Sequence, residues 1–223
     1  MGDVIGEILP LALVVAISPI PIIAAILMLL SPNAKTTGVG FLVGWIAGVV
    51  IAVVAFTLLS SLLSEDDSDT SNPVKGTIQL ALGVLLILLA AKQWQARPRG
   101  QGEPELPKWM SAIDTLTTVK GLGLGFLLSA LNPKNLIMAA GAGIAIGGGN
   151  LGTGETVVVI IVFTAIAAST VAVPVIGYLA AADRLAEPLE ALRGWLVREN
   201  TVVMAILLLV IGVVMIGKGI GSF

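Results

Sequence analysis

The sequence of 223 residues is 57% hydrophobic and only 12% charged, with a formal net charge of -2. Soluble domains carry roughly 25% charged residues, and the mean hydropathy here is +1.03, so the composition predicts an integral membrane protein. The chain has no cysteine and no histidine, which excludes disulfides, Cys/His metal sites and histidine-based catalysis. We therefore expect no enzymatic activity, no catalytic residue and no metal site.

Six stretches are apolar enough to cross a bilayer, which takes about 20 residues each. They cover residues of about 4–30, 38–63, 74–92, 120–147, 154–182 and 201–221. The polar stretches between them are short, so the whole chain, 1–223, is predicted to be a single all-α membrane domain. Asp3 and Glu7 replace the positive region of a secretory signal, which favours a retained first span.

The distribution of Lys and Arg predicts the orientation in the membrane. Nine of these residues fall near loops 1–2, 3–4 and 5–6, whereas only Lys75 and Lys218 lie on the opposite side. Because basic loops stay in the cytoplasm, both termini are predicted to be extracytoplasmic in the plasma (inner) membrane. The linker 93–119 is then cytoplasmic, and segment 184–198 is predicted to be an amphipathic helix on the inner leaflet.

The chain contains a weak internal repeat. Residues 16–25 align with residues 130–139 at an offset of 114, and the same offset places Gly40 on Gly154. Each unit, about 1–92 and about 120–223, holds three spans, so the second enters the membrane from the other side. The pattern predicts two inverted three-helix repeats, with chance alignment of apolar sequence as the alternative.

Prolines are predicted to break spans 1 and 4 at mid-depth, because proline removes a backbone donor and clashes with the preceding turn. In lipid, the freed carbonyls are tolerated only inside protein or along a wet cavity. The polar and proline residues at the two breaks form the predicted substrate-binding or translocation site: Ser18, Pro19, Pro21, Ser129, Asn132, Pro133, Lys134 and Asn135. Simple proline kinks with locally bonded hydroxyls are the alternative.

Lys134 is the most unusual residue of this set. It lies about 14 residues, or about 20 Å of helix, from either end of its span, and a charge at that depth costs about 2.5 to 3.5 kcal/mol. No Asp or Glu occurs at comparable depth in any predicted span. The partner is therefore expected to be a freed carbonyl, a helix end or an anionic substrate, while a neutral lysine stays open.

Two motifs carry a resemblance to a known family. The first runs through residues 18–24 (SPIPIIA), 26–32 (ILMLLSP) and 40–45 (GFLVGW), and the second is residues 131–135 (LNPKN). Over essentially its whole length the chain resembles the GAP family of actinobacterial membrane proteins, also called sulfolipid-addressing proteins. That family looks like a branch of the lysine-exporter (LysE) superfamily of six-span proteins.

The resemblance implies export. Family members are associated with moving glycopeptidolipids or sulfolipids to the cell surface, so the implied function is secondary-type export of a lipid-linked or amphipathic substrate. The implied central site comprises Ser18, Pro19, Pro21, Asn132, Pro133 and Lys134. An exporter of a small solute, such as an amino acid or ion, and a non-transporting accessory protein of a lipid-export system stay open.

The expected partners are membrane lipid and the lipid or small-molecule substrate. A homodimer, and association with proteins of lipid synthesis or export, also stay open. Neither nucleic acid nor a cofactor is expected.

Overall fold

The computed structural model describes residues 1–63, 73–97 and 116–222, and these residues form helices without any strand. The helices are α1 (Gly2–Ala16), α2 (Pro19–Leu29), α3 (Ala34–Leu63), α4 (Pro73–Gln95), α5 (Thr118–Ala130), α6 (Pro133–Gly147) and α7 (Thr153–Ile220). The all-α prediction holds for this part of the chain. Most of the predicted linker 93–119, namely residues 98–115, lies outside the described residues.

Several of these helices are suited to a membrane. By length and composition, Ala34–Leu62, Gly76–Gln95 and Thr153–Ile220 can each cross a bilayer, and α1 with α2 makes a fourth crossing if this bent pair forms one span. Many large apolar side chains are exposed, among them Leu58, Leu88 and Val173, as expected where the solvent is lipid. The chain is thus a multi-pass membrane protein, while the six-span count and the inverted repeat stay predictions.

The two predicted breaks occur at the prolines. The first span is divided between α1 and α2, whose axes differ by 52°. The fourth is divided between α5, with 13 residues, and α6, with 15 residues. Each of these two helices is shorter than the roughly 20 residues of a full crossing, so they could cross a bilayer only together.

The prediction for the last third of the chain needs a correction. We expected separate helices at 154–182, 184–198 and 201–221. A kink at Ala181, with φ -152° and ψ 58°, divides α7 into two helical parts close to the first of these boundaries, but the second part runs without a break to Ile220. No proline or glycine lies between 195 and 211 to interrupt it.

Glycines let the helices of the core approach closely and also show their directions. Gly121 lies against Thr37 and Gly125 against Phe41, while farther along α3, Phe56 lies against a glycine of α6, Gly143. From one contact to the next, the residue numbers increase in both contacting helices. Therefore α3 runs parallel to α5 and then to α6. Small residues at such contacts are typical of packed membrane helices.

Two other pairs run antiparallel. In α4 and the last part of α7, Gly83 meets Gly212, whereas Leu80 meets Gly219. In α1 and α6, Leu11 lies beside Gly141, and the same two helices meet again at the breaks, through Lys134. These directions bring the break in span 1 against the break in span 4.

Candidate translocation site

The break in span 1 leaves a backbone carbonyl without its helical donor. The Ile17 amide still bonds to the carbonyl of Leu13 at 2.9 Å, but the Ser18 amide turns to the carbonyl of Ala16 at 2.8 Å. The Val14 carbonyl, which Ser18 would serve in a continuous helix, is therefore free for another partner. Pro19 has no N–H and occupies the first position of α2, where its fixed φ suits a helix start.

The break in span 4 is closed by local side chains. Asn132 is the N-cap of α6, and its side-chain oxygen accepts from the Lys134 amide at 3.0 Å. Across the break, the Asn135 side-chain nitrogen donates to the carbonyl of Leu128 at 3.2 Å. Ser129 donates to the carbonyl of Phe126 at 3.0 Å. These bonds fix the start of α6 and the direction of its first residues.

Lys134 connects the two breaks. Its ammonium donates to the free Val14 carbonyl and to the Ser18 hydroxyl, and the side chain is only 7% exposed. The carboxyl end of α1 also carries the negative end of the helix dipole, which favours a cation. Within the described residues no carboxylate forms an ion pair with Lys134. Of the alternatives that the sequence left open, a freed carbonyl at a helix end is the one that contacts Lys134 in the structure.

The first part of α7 completes this junction. The Thr170 hydroxyl donates to the Ala16 carbonyl at 2.5 Å, which satisfies another group at the end of α1. Nearby, the fully buried Trp45 of α3 donates from its indole nitrogen to the Ala167 carbonyl at 3.3 Å. Two segments distant in sequence, α6 and α7, thus hold the end of α1 through polar contacts, and α3 is bonded in turn to α7.

A cavity of about 350 Å³ lies beside the breaks. The residues that line it are Ser18, Pro19, Ile20, Pro21, Leu89, Lys92, Gln93, Ala96, Asn132, Pro133, Lys134, Asn200, Met204 and Leu208. Lys134 is buried whereas Lys92 and Ala96 are exposed, so the cavity extends from the breaks to the surface at the end of α4.

The cavity contains six of the eight predicted site residues. The other two, Ser129 and Asn135, are buried but do not line it. Both donate to carbonyls of α5, so they position the break rather than face a ligand. Their side chains bond to backbone at the break, and the Asn135 side-chain oxygen is buried without a hydrogen-bond partner among the described residues. Their part in translocation stays a prediction.

Three polar lining residues were not predicted: Lys92, Gln93 and Asn200. Each lies at an end of an apolar stretch, where a polar side chain is ordinary, so no local pattern indicates that they meet the breaks. Lys92 and Lys134 are the charged residues of the described lining. The Asn200 side-chain oxygen is buried and has no hydrogen-bond partner among the described residues.

These features define what the cavity can bind. Lysine has three N–H donors, and two of those on Lys134 are used by Val14 and Ser18. One donor remains for a ligand, and the nearby Asn200 oxygen can accept from a hydroxyl. Within the described ranges no three His, Cys, Asp or Glu side chains come together as a metal site. The site is therefore suited to an anionic or hydroxyl-bearing group.

Comparison with known proteins gives a family assignment. A family model described as Sap, sulfolipid-1-addressing protein, matches residues 8–221, which is nearly the whole chain. This match confirms the resemblance to the sulfolipid-addressing proteins, while the wider lysine-exporter superfamily stays a prediction. No curated protein and no solved structure matches the sequence.

Proposed function

The chain belongs to the sulfolipid-1-addressing protein family, and from that premise we propose that it is a secondary-type exporter of a lipid-linked or amphipathic substrate. The direction of movement is towards the cell surface. The family description supports a role in lipid addressing. The observation that carries the proposal is the cavity that joins the buried Lys134 at two helix breaks to the surface.

The lining of the cavity supports an amphipathic substrate. Ser18, Asn132 and Lys134 supply polar groups at the breaks, and Lys92 and Asn200 supply others towards the surface. Between these groups the walls are apolar, with prolines and aliphatic side chains. A sugar or acidic headgroup can use the lysines and Asn200, while hydrocarbon next to it contacts the apolar walls without leaving polar groups unpaired.

The position of the cavity supports entry from the bilayer. Both α2 and α4 pack against α7, but they have no extensive contact with each other. Residues of both helices line the cavity, which therefore lies where the two are apart. In a membrane, such a gap between neighbouring helices gives a lipid tail a lateral path, so that only the headgroup has to pass the buried breaks.

We assign Lys134 the central role in transport. Its ammonium holds the anionic group of the substrate, or exchanges a proton, as the carrier changes between outward and inward states. The link from Lys134 to Val14 and Ser18 joins α1 to α6 in the described state. A substrate that binds this ammonium competes with the Val14 and Ser18 contacts. If it binds more strongly in one state than in the other, it shifts the equilibrium between the two states and moves α1 relative to α6.

The proposal includes six crossings with both termini extracytoplasmic. The crossings are α1 with α2, α3, α4, α5 with α6, and two from α7 divided near Ala181. The parallel packing of α3 with α6 and the antiparallel packing of α4 with the end of α7 agree with this order. The two inverted units, 1–92 and 120–223, would then be related by an axis in the membrane plane, and this axis would relate the broken span of one unit to that of the other.

Reconstitution tests the function directly. Purified protein is placed in liposomes that contain a fluorescent anionic glycolipid, a pH gradient is imposed, and an impermeant quencher reports the fraction of lipid on the outer leaflet. Faster movement than in protein-free liposomes is expected. Efflux of loaded amino acids or ions without lipid movement would replace this proposal with a small-solute exporter, and no flux of either kind would favour an accessory role.

A further inference from the structure

The carboxyl end of α1 presents the ligands of a cation site. The Val14 carbonyl and the Ser18 hydroxyl both accept from Lys134, whereas the Ala16 carbonyl accepts from the Thr170 hydroxyl and the Ser18 amide. In transporters with broken helices, unwound carbonyls and the carboxyl ends of half-helices coordinate Na⁺. Here two of these oxygens accept from the ammonium of a side chain.

We propose that the end of α1 is a site for a monovalent cation, which the ammonium of Lys134 occupies. Once the lysine side chain is removed, this site binds a free ammonium or alkali-metal ion. This inference concerns a binding site that exists whether or not the chain exports a substrate. Only its consequence for ion coupling rests on the proposed function.

The charge of the site favours a monovalent ion. A helix end carries about half a negative charge, and within the described residues no carboxylate forms an ion pair with Lys134. The Val14 carbonyl lacks its helical donor because the Ser18 amide bonds to Ala16 instead. One cation therefore suffices to satisfy these oxygens, whereas a divalent ion would lack the acidic ligands that it needs.

The consequence for transport concerns the coupling ion. With the cation attached to the chain, free Na⁺ has no vacant place at this break, and the only ion that the site can exchange is the proton of the lysine. Under the proposed function, export then uses no Na⁺ at this position.

The test measures thermal stability of purified Lys134→Ala in ammonium, methylammonium, sodium or choline chloride at equal ionic strength. A saturating small cation should raise the melting temperature by roughly 5 to 10 °C relative to choline, which is too large for the site. Wild-type protein should show no difference between the salts. Lys92→Ala, which removes the other lysine of the cavity, is the matched control and should also show none.

A second substitution identifies the ligands. Adding Ser18→Ala to Lys134→Ala removes one oxygen, so the ammonium concentration that gives half of the shift should rise by about tenfold. Lys134→Met keeps most of the stem in the site and should respond to no cation.

An unresponsive Lys134→Ala protein, or an equal response of Lys92→Ala, would overturn the proposal. If Lys134→Ala folds only when ammonium or sodium is present during purification, that result supports the proposal; if it stays unfolded in every salt, the site binds no free cation and the proposal is overturned. Since the readout is stability, failure of lipid flux leaves the result intact.

Discussion

The contact between α3 and α5 allows one prediction to be worked from geometry. A Cβ added to Gly44 would lie 2.0 Å from the Leu122 carbonyl oxygen, whereas ordinary contact begins at 3.4 Å. The obstacle is backbone, so Gly44→Ala must move α5 away by about 1.4 Å or distort it. Overpacking of this kind costs about 1 to 3 kcal/mol, which corresponds to a fall in melting temperature of roughly 2 to 12 °C.

The same displacement should reach the candidate site, because α5 leads directly into the break that holds Asn132. Lipid flux by Gly44→Ala should therefore fall together with its melting temperature. Gly123→Ala is the matched control, since nothing lies within 4 Å of its added Cβ. In a helix interior that change should leave stability equal or raise it by about 1 kcal/mol. Equal melting temperatures for Gly44→Ala and the wild type would refute the described packing.

Three further predictions concern orientation, capping and charge. Single cysteines introduced into this cysteine-free chain at Gly152 and Arg193 should be labelled by an impermeant thiol reagent on intact cells at 152 only, and the opposite pattern would reverse the topology. Asn132→Ala should lower stability by about 1 kcal/mol in thermal melts, whereas Asn132→Asp keeps the capping acceptor and most of the stability; equal loss in both would argue against the cap. The guanidinium of Lys134→Arg keeps its proton, and therefore its charge, at working pH. Retained flux would favour anion binding, whereas lost flux in a folded protein would favour proton exchange.

The breaks were predictable because proline acts locally. Pro19 and Pro133 each lack the N–H that a continuing helix needs, whatever surrounds them. The kind of partner for Lys134 was predictable for a related reason, since a broken helix exposes carbonyls and no buried acid was present. Which carbonyl it is could not be predicted, because the pairing with Val14 depends on how α1 and α6 pack.

The cavity was predictable only at its inner end. Lys92 and Asn200 reach it from α4 and α7, and nothing in their local sequence distinguishes them from residues at a membrane surface. Asn135 was predictable as a polar group beside the break, but not that its side-chain nitrogen donates to the carbonyl of Leu128. Local chemistry thus determines where the helices break, while tertiary packing determines which side chains face the space between them.

The continuity of α7 has a similar explanation. The change from charged to apolar sequence near residue 200 indicated a helix boundary there, yet polarity alone does not end a helix when the residues on both sides favour helical backbone. The other predicted boundary, at the end of the fifth span, coincides closely with the kink at Ala181.

The role of Lys134 in transport is tested by comparing the flux of three proteins. Flux of a fluorescent anionic glycolipid is measured in liposomes that contain the wild type, Lys134→Met or Lys35→Met, a charge removal at an exposed residue outside the cavity. Lys134→Met leaves the Val14 carbonyl without a donor and should lose about 1 to 3 kcal/mol of stability, so thermal melts first establish that it is folded. Its flux should fall by at least about tenfold. Lys35→Met should transport as the wild type does. Wild-type flux from Lys134→Met would contradict the account and leave this lysine with only a structural role.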